Sequence, residues 1–464
     1  MSEFQEPESF RDKMVTVDEQ GHRKWIYPIQ PKGKFYNYRT YLTWVYLIGF
    51  FSIPFLKING DPLFMINVLE RKFIFFNVIF WPQDFFIFML AMITFIVFIV
   101  LFTVAFGRVF CGWICPQTIF MEMVFRKIEH WIEGDANHQR KLSEKKWDKE
   151  KITKRSIKFL LFFVLSFLIA NTFLAYIIGS DELFKIITEP INTHLGGFIA
   201  ITIFTLAFFA VYSFAREQIC TIVCPYGRLQ GVMLDKNSIV VAYDYVRGEE
   251  RGKLKKSETR IKGDCIDCGL CVRVCPTGID IRNGTQLECI NCTACIDACN
   301  SIMDQVGFDK GLIKYASENN ISQKTKLTYT TRLKAYSFIL IILLGVLTTL
   351  LITRKDIDTT VLRAQGQLYQ EQPNNKISNL YTIQLLNKTH KDIPVQLQLE
   401  GINGEIKIIG NNILVKRESE GMGTFFITRK ASEITERKTK FKINVYSNGK
   451  KISKATSSFF GPVY

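Results

Sequence analysis

The chain has 464 residues, with 59 Lys and Arg against 43 Asp and Glu, giving a net charge of +16. Charged residues make up only 22% and hydrophobic residues 48%, including 39 phenylalanines, so long uncharged runs must be present. These figures exclude a purely soluble enzyme and an intrinsically disordered chain. The 12 cysteines fall into four tight groups, none beyond residue 299, so the last third of the chain has neither a disulfide nor a thiolate metal site.

Residues 1–38 are polar and read as a cytoplasmic N-terminal segment without a cleavable signal peptide. A bilayer core of roughly 30 Å is crossed by about 20 apolar residues in a helix. Five stretches qualify. The first, about Tyr41–Leu56, holds Pro54 and extends toward Arg39 and Ile58. The others are Phe85–Gly107, Phe159–Gly179, Leu195–Ala215 and Ala335–Ile352. A buried core helix rarely stays uncharged for so long, so four transmembrane helices are expected within 39–215 and a fifth at 335–352. Phe73–Trp81 is apolar but short and reads as interfacial.

The second run is followed by Arg108-Val109-Phe110-Cys111-Gly112-Trp113-Ile114-Cys115-Pro116. The fourth is followed by Arg216-Glu217-Gln218-Ile219-Cys220-Thr221-Ile222-Val223-Cys224-Pro225. Each is an Arg and then Cys-x3-Cys-Pro at the end of a span, so spans one–two and three–four read as a duplicated hairpin. Residues four apart share a helix face, so each pair is expected to present two sulfurs to one centre, with the Pro ending or kinking the helix. Soft thiolates suit Cu(I), zinc or iron–sulfur chemistry, and Arg108 or Arg216 would lower a neighbouring thiol's pKa. Buried, inert packing cysteines are the competing reading, but the repeat at matching depth favours function. The spacing leaves open copper, another metal or a dithiol redox pair.

The loop 108–158 holds Arg108, Arg126, Lys127, Arg140, Lys141, Lys145, Lys146, Lys149, Lys151, Lys154, Arg155 and Lys158. The loops on the other side hold Lys57, Arg71, Lys72 and Lys185. The positive-inside rule therefore puts 1–38, 108–158 and 216–334 in the cytoplasm and 353–464 outside. Within the basic loop, Lys141–Lys158 reads as a solvated amphipathic or interfacial helix, and Asp235–Gly252 as a structural linker. Histidines are few (His22, His130, His138, His194, His390) and none lies in a span, which argues against intramembrane haem. No aromatic-interleaved basic motif points to nucleic acid.

Eight cysteines follow in a ferredoxin domain at about 255–310. They read Cys265-x2-Cys268-x2-Cys271-x3-Cys275-Pro276 and Cys289-x2-Cys292-x2-Cys295-x3-Cys299. This is the two-cluster bacterial ferredoxin spacing, in which the fourth ligand of each cube comes from the other set. One [4Fe–4S] cluster is thus assigned Cys265, Cys268, Cys271 and Cys299, the other Cys275, Cys289, Cys292 and Cys295. Zinc ribbons use pairs of cysteines rather than this rhythm, and a cytoplasmic loop disfavours disulfides. Asn300 stands where a Pro often follows the last cysteine, which should alter the turn but not the ligation.

The tail, 353–464, has the pattern of short strands: Tyr381–Leu386, Val395–Leu399, Glu405–Ile409, Gly423–Thr428 and Phe441–Tyr446. Asn448-Gly449 marks a hairpin before Lys450–Phe460. A small antiparallel sandwich is expected, a docking or binding domain without a catalytic constellation. The whole is a multi-domain membrane protein: a five-helix α-helical transmembrane bundle, a cytoplasmic α+β two-cluster ferredoxin domain and an all-β C-terminal sandwich.

The segments CGWICPQTIFMEMVF, REQICTIVCPYGRLQGVMLD, YDYVRGEERG and the eight-cysteine stretch together resemble the cytochrome c oxidase accessory protein family (CcoG/FixG, also called RdxA). The resemblance covers roughly 30–464 and implies an immunoglobulin-like C-terminal domain. It also implies a place in the bacterial inner membrane and a role in assembling cbb3-type cytochrome c oxidase by reducing Cu(II) to Cu(I) for its copper centre. Carried onto this chain, it makes Cys111, Cys115, Cys220 and Cys224 the copper or redox cysteines, with two [4Fe–4S] clusters as cofactors. The expected partners are a cytoplasmic electron donor, copper ions, copper chaperones or oxidase subunits, and the bilayer. Two further readings stand beside it: a NapH/NosR-like quinol-linked electron carrier, and a non-enzymatic assembly scaffold.

Overall fold

The computed structural model describes all residues except 1–15, 18–19, 68–71, 77, 191, 255–261, 327–328, 365, 367, 411–412 and 463–464. Arg71 and the first residues of the expected ferredoxin domain therefore lie outside the described residues. The chain divides into two compact units, one of residues 1–55 and 91–344, the other of 56–90 and 345–464.

The first unit holds α1 (Lys34–Ser52) and most of α2 (Phe85–Phe106), then α3 (Lys149–Ile178) and α4 (Leu195–Ala210). Four helices among the described residues are long and apolar enough to cross a membrane: α2, α3, Leu195–Ala215, and a later helix at Thr331–Ile352. The most apolar stretches of α2 and Thr331–Ile352 are only 6% and 0% buried, as side chains that face lipid would be. The span expected at Tyr41–Leu56 is helical but starts at Lys34, so its charged first turns dilute the apolar run. α3 begins ten residues before its apolar part. The expected amphipathic segment is accordingly split: Ala136–Glu144 is one helix, and Lys149–Lys158 is fused to the span that follows. Asp148 caps that helix, its carboxylate accepting the Lys151 N–H at 2.9 Å.

Two short strands, β1 (Val240–Tyr243) and β2 (Ile313–Ala316), pair antiparallel across the cysteine-rich region. They carry Val241, Tyr243 and Ile313 into a core shared with Cys265, Cys271 and Met303.

The second unit is strand-rich. Phe64–Asn67, Lys72–Phe75 and Val78–Phe80 form an antiparallel meander, so the stretch read as interfacial is mostly sheet. In the tail, strands at Glu405–Ile409, Glu420–Lys430, Lys376–Asn387 and Ile357–Arg363 lie side by side in that order, with Gln370–Gln372 on the third. Gln396–Glu400, Lys438–Ser447 and Lys450–Phe460 make a second sheet. Both sheets contribute to one core, in which Tyr381 stacks on Phe425 at 5.5 Å and meets Phe441 edge-on at 5.4 Å. Every expected tail strand is present. Asn448 and Gly449 both have positive φ, as a tight two-residue hairpin turn requires. The strand Ile357–Arg363 was not anticipated.

The meander is tied to the tail by buried charges. Lys388, 3% exposed at its side chain, reaches Asp84 at 2.5 Å and Asp358 at 2.6 Å, and Asp84 also accepts from Arg354 at 2.6 Å. Lys72 and His390 each lie 2.6 Å from Glu418, and Asp61 completes the group. Burial acts to raise the Glu418 carboxyl. Hydrogen bonds from Asp61, Lys72 and His390 outweigh it and hold the group down at about 2. A carboxyl depressed on folding stabilises above its ordinary value of 4.5, and that contribution is lost as pH falls toward 2. Acid unfolding of this unit, followed by near-UV circular dichroism between pH 5 and pH 2, should therefore be steep. Glu418→Gln should flatten it; an unchanged profile would show that another group governs the transition.

Candidate electron-transfer site

The two cysteine sets are built as structural repeats. In the first, Asp267 and Gly269 flank Cys268 with φ of 54° and 65°; in the second, Asn291 and Thr293 flank Cys292 with φ of 54° and 65°. Left-handed residues alternating with ordinary ones turn successive backbone N–H groups into one concavity, a surface that favours negative charge. Each loop then enters a helix, Leu270–Arg273 or α5 (Ala294–Val306).

The predicted ligands are brought together. One small cavity is lined by Cys265, Cys268, Cys271 and Cys299. A second is lined by Cys275, Cys289, Cys292 and Cys295, with Cys271 between the two. Burial pushes the Cys271, Cys289 and Cys299 thiols up to about 12 and Cys292 to about 11. Backbone N–H groups near residues 277–279, 291 and 294 act in the opposite direction on Cys275, Cys289 and Cys292. Thiolates packed so closely in a dry site need a compensating cationic centre, and all-sulfur donors suit iron–sulfur clusters. The residues present fit that group. Asn300 replaces a helix stop: α5 runs on through it to Val306, and its side chain accepts the Gly311 N–H at 2.9 Å.

The membrane-edge pairs are also repeats, but not as continuous helices. Cys111 lies in the helical turn Val109–Trp113 and Cys220 in the π-turn Ile219–Val223. Cys115 and Cys224 sit beyond those turns, with extended ψ of 126° and 109°. The N–H of each bonds five residues back, Cys115 to the Phe110 carbonyl at 2.9 Å and Cys224 to Ile219 at 2.7 Å. Pro116 and Pro225 therefore do not end a helix but open the next one, where a missing N–H costs nothing.

The two arginines differ from expectation. The residue four before each first cysteine is Gly107 in one copy and Arg216 in the other, and both adopt left-handed φ, 59° and 47°. Arg216 is thus the structural counterpart of Gly107. Its guanidinium pairs with buried Glu129 at 2.8 and 3.0 Å instead of activating a thiol. Arg108 does act on Cys111, but burial outweighs it and the Cys111 thiol is raised. Burial, and then the charges of Cys115, Cys111 and Cys224, push Cys220 up to about 12. All four membrane-edge thiols thus contribute to one electrostatic environment. Cys111 Sγ also donates to the buried Gln230 Oε1 at 3.0 Å.

The first pair packs directly on the second cysteine loop. Cys111 shares a cluster with Val274, Ile290, Cys292 and Ala298. Trp113 Nε1 donates to the Asn291 carbonyl at 3.3 Å, and the Arg108 guanidinium donates to the Leu287 carbonyl. A Cβ on Gly112 would lie 2.9 Å from the Cys292 backbone.

Three residues that position this assembly were not anticipated. Asp297, between Cys295 and Cys299, accepts the Phe35 and Tyr36 N–H groups at 3.2 and 2.7 Å. It thereby caps α1, whose own N-cap is Gly33. Glu129 pairs with both Arg216 and Lys158, and Glu133 with Lys158 and Arg155. The i, i+4 spacing of the two acids was visible, but not their buried partners.

Lipid-facing helices, two cysteine cavities sharing an edge and a thiol pair against one of them define a membrane iron–sulfur protein of the electron-transfer class. The description "4Fe-4S dicluster domain" matches residues 215–318, "4Fe-4S binding domain" matches 88–147, and "IG-like fold at C-terminal of FixG" matches 347–462. Protein RdxB of Cereibacter sphaeroides is 35% identical over 383 residues, 79% of this chain and 80% of that protein. Protein RdxA of the same organism is 34% identical, covering 82% and 83% of the two chains. Nitrogen fixation protein FixG of Rhizobium meliloti is 30% identical, covering 82% and 80%. The chain belongs to the FixG/RdxA family.

Proposed function

We propose that this protein reduces Cu(II) to Cu(I) at the cytoplasmic edge of the bacterial inner membrane, in service of cbb3-type cytochrome c oxidase assembly. Cys265, Cys268, Cys271 and Cys299 would hold one [4Fe–4S] cluster and Cys275, Cys289, Cys292 and Cys295 the other. When bound, these clusters supply one-electron transfer. Copper is the substrate: each Cu(II) takes up one electron, and Cys111, Cys115, Cys220 and Cys224 offer soft thiolates that retain Cu(I).

The observation that carries this reading is the packing of Cys111-Gly112 against the Ile290–Cys292 backbone, which brings a copper-competent thiol pair against a predicted cluster loop. Topology supports it. Along the sequence, crossings by Phe85–Phe106, Lys149–Ile178 and Leu195–Ala215 would leave residues 107–148 and 216–330, and with them every cysteine, on one side. α1 starts against Asp297 in the cysteine-rich region, and its 19 residues, at about 1.5 Å each, nearly match an apolar core of roughly 30 Å. This favours α1 as a fifth span. The basic loop 108–158 lies on the cysteine side, which the positive-inside rule makes cytoplasmic. Residues 353–464 are then periplasmic, suited to docking oxidase subunits or copper chaperones.

Cys111→Ser and Cys220→Ser, alone and together, should lower anaerobic Cu(II) reduction by the prereduced protein at least tenfold while iron content stays unchanged. Full reduction rates in the double variant would refute a role for these thiols.

A further inference from the structure

A cavity of about 690 Å³ opens where α3 changes from charged to apolar, and nothing derived above uses it. Lys151, Arg155, Lys158 and Phe159 of α3 line it, facing Trp25, Ser213 and Arg216. Its cations are Arg140, Lys151, Arg155, Lys158 and Arg216; its carboxylates are Glu129 and Glu144, with Glu133 pairing Arg155 and Lys158 from behind. The cavity is left positive. Lys151 is 7% exposed, and its ammonium is bonded to the carbonyls of Ser143 and Lys145.

Two donors in the wall are buried without a hydrogen-bond partner: the Ser213 hydroxyl and Arg216 Nε, on residues 3% and 5% exposed. Unmatched donors amid surplus positive charge suit an oxygen-rich anion. Depth narrows the choice. The apolar run of α3 begins at Phe159, so the cationic turn before it lies at the level of lipid headgroups, and Phe159 and Phe214 add an apolar part to the cavity's lining.

We propose that this cavity binds a phosphate group, carried by an anionic membrane lipid or by a soluble phosphate ester, with Ser213 and Arg216 donating to its oxygens. Arg216 is the left-handed residue four before Cys220, so an occupant would also brace the turn that leads into the second cysteine pair.

The test uses native mass spectrometry of the full-length, iron-loaded protein after delipidation. It is titrated in separate arms with phosphatidylglycerol, phosphatidylcholine and inorganic phosphate. Phosphatidylglycerol should bind at least tenfold tighter than phosphatidylcholine, and Ser213→Leu and Lys151→Met should each erase that preference with iron content and melting temperature unchanged. Phosphate binding alone, or its displacement of the lipid, would identify a soluble ester as the source. Equal binding of both lipids with no phosphate binding would overturn the proposal. So would full phosphatidylglycerol binding by the folded Lys151→Met protein, a readout that holds even if Ser213→Leu does not fold.

Discussion

On the proposed function, Gly112→Val should cost the protein one cluster and Cu(II) reduction together. Gly112 follows Cys111 and lies against the Cys292 backbone, where any Cβ would come within 2.9 Å of the Cys292 N and Cα. Backbone on both sides leaves no flexible side chain to move aside, so the contact is relieved only by separating the two segments. Overpacking a well-filled interior typically costs about 1–3 kcal/mol, and here the strain falls on a ligand loop. Iron should drop from about eight toward about four atoms per chain, as expected if one of two [4Fe–4S] clusters is lost. Cu(II) reduction should fall with it. Gly112→Ala should show the same defect more weakly. Iron and activity both at parental level in Gly112→Val would separate the thiol pair from the cluster loop.

The second large effect is expected at Glu129, which is 3% exposed and takes Arg216 in a two-point pair and Lys158 at 3.2 Å. Burial alone would raise its carboxyl, but Arg216 and Lys158 hold it far below the usual carboxylate range. Removing one partner of a buried pair leaves an uncompensated charge, at a cost of about 3–5 kcal/mol. Glu129→Ala should therefore lower the unfolding free energy by about that amount, read from urea denaturation in detergent. Lys158 keeps Glu133 as a partner, whereas Arg216 loses both of its hydrogen bonds to Glu129, so the turn before Cys220 should loosen first. A local readout follows: Cys220 should become more reactive toward maleimide in Glu129→Ala. Unchanged stability and thiol reactivity would show that water or neighbouring groups replace the carboxylate.

What was legible in the sequence was what local spacing controls. The grouping of Cys265, Cys268 and Cys271 with Cys299, and of Cys289, Cys292 and Cys295 with Cys275, follows from a ligand rhythm of two and three residues. The apolar runs were visible because lipid-facing helices cannot afford charge, and the Asn448-Gly449 turn because few residues adopt its φ values. Proline was misread at Pro116 and Pro225 because the same residue type can stop one helix or start the next, and the sequence alone does not say which side its ring serves. Arg216 was matched to Arg108 by residue type, but the backbone matches it to Gly107, and only Glu129, 87 residues away, explains what its side chain does. Asp297 was hidden for the same reason: the N–H groups it caps are about 260 residues earlier in the chain. The strand Ile357–Arg363 was missed: only four residues separate it from the last apolar helix, with no Gly or Pro among them to mark a new element.

On the proposed function, reduced iron–sulfur centres on this chain deliver single electrons to copper held by membrane-edge thiols. Anaerobic purification with iron analysis, followed by titration of the dithionite-reduced protein with Cu(II) under electron paramagnetic resonance, tests it most directly. Two reduced-cluster signals should disappear in step with added Cu(II), one electron per copper, while the Cu(II) signal stays silent until both are exhausted. A colourless, iron-free protein, or reduced clusters that persist beside a growing Cu(II) signal, would contradict it.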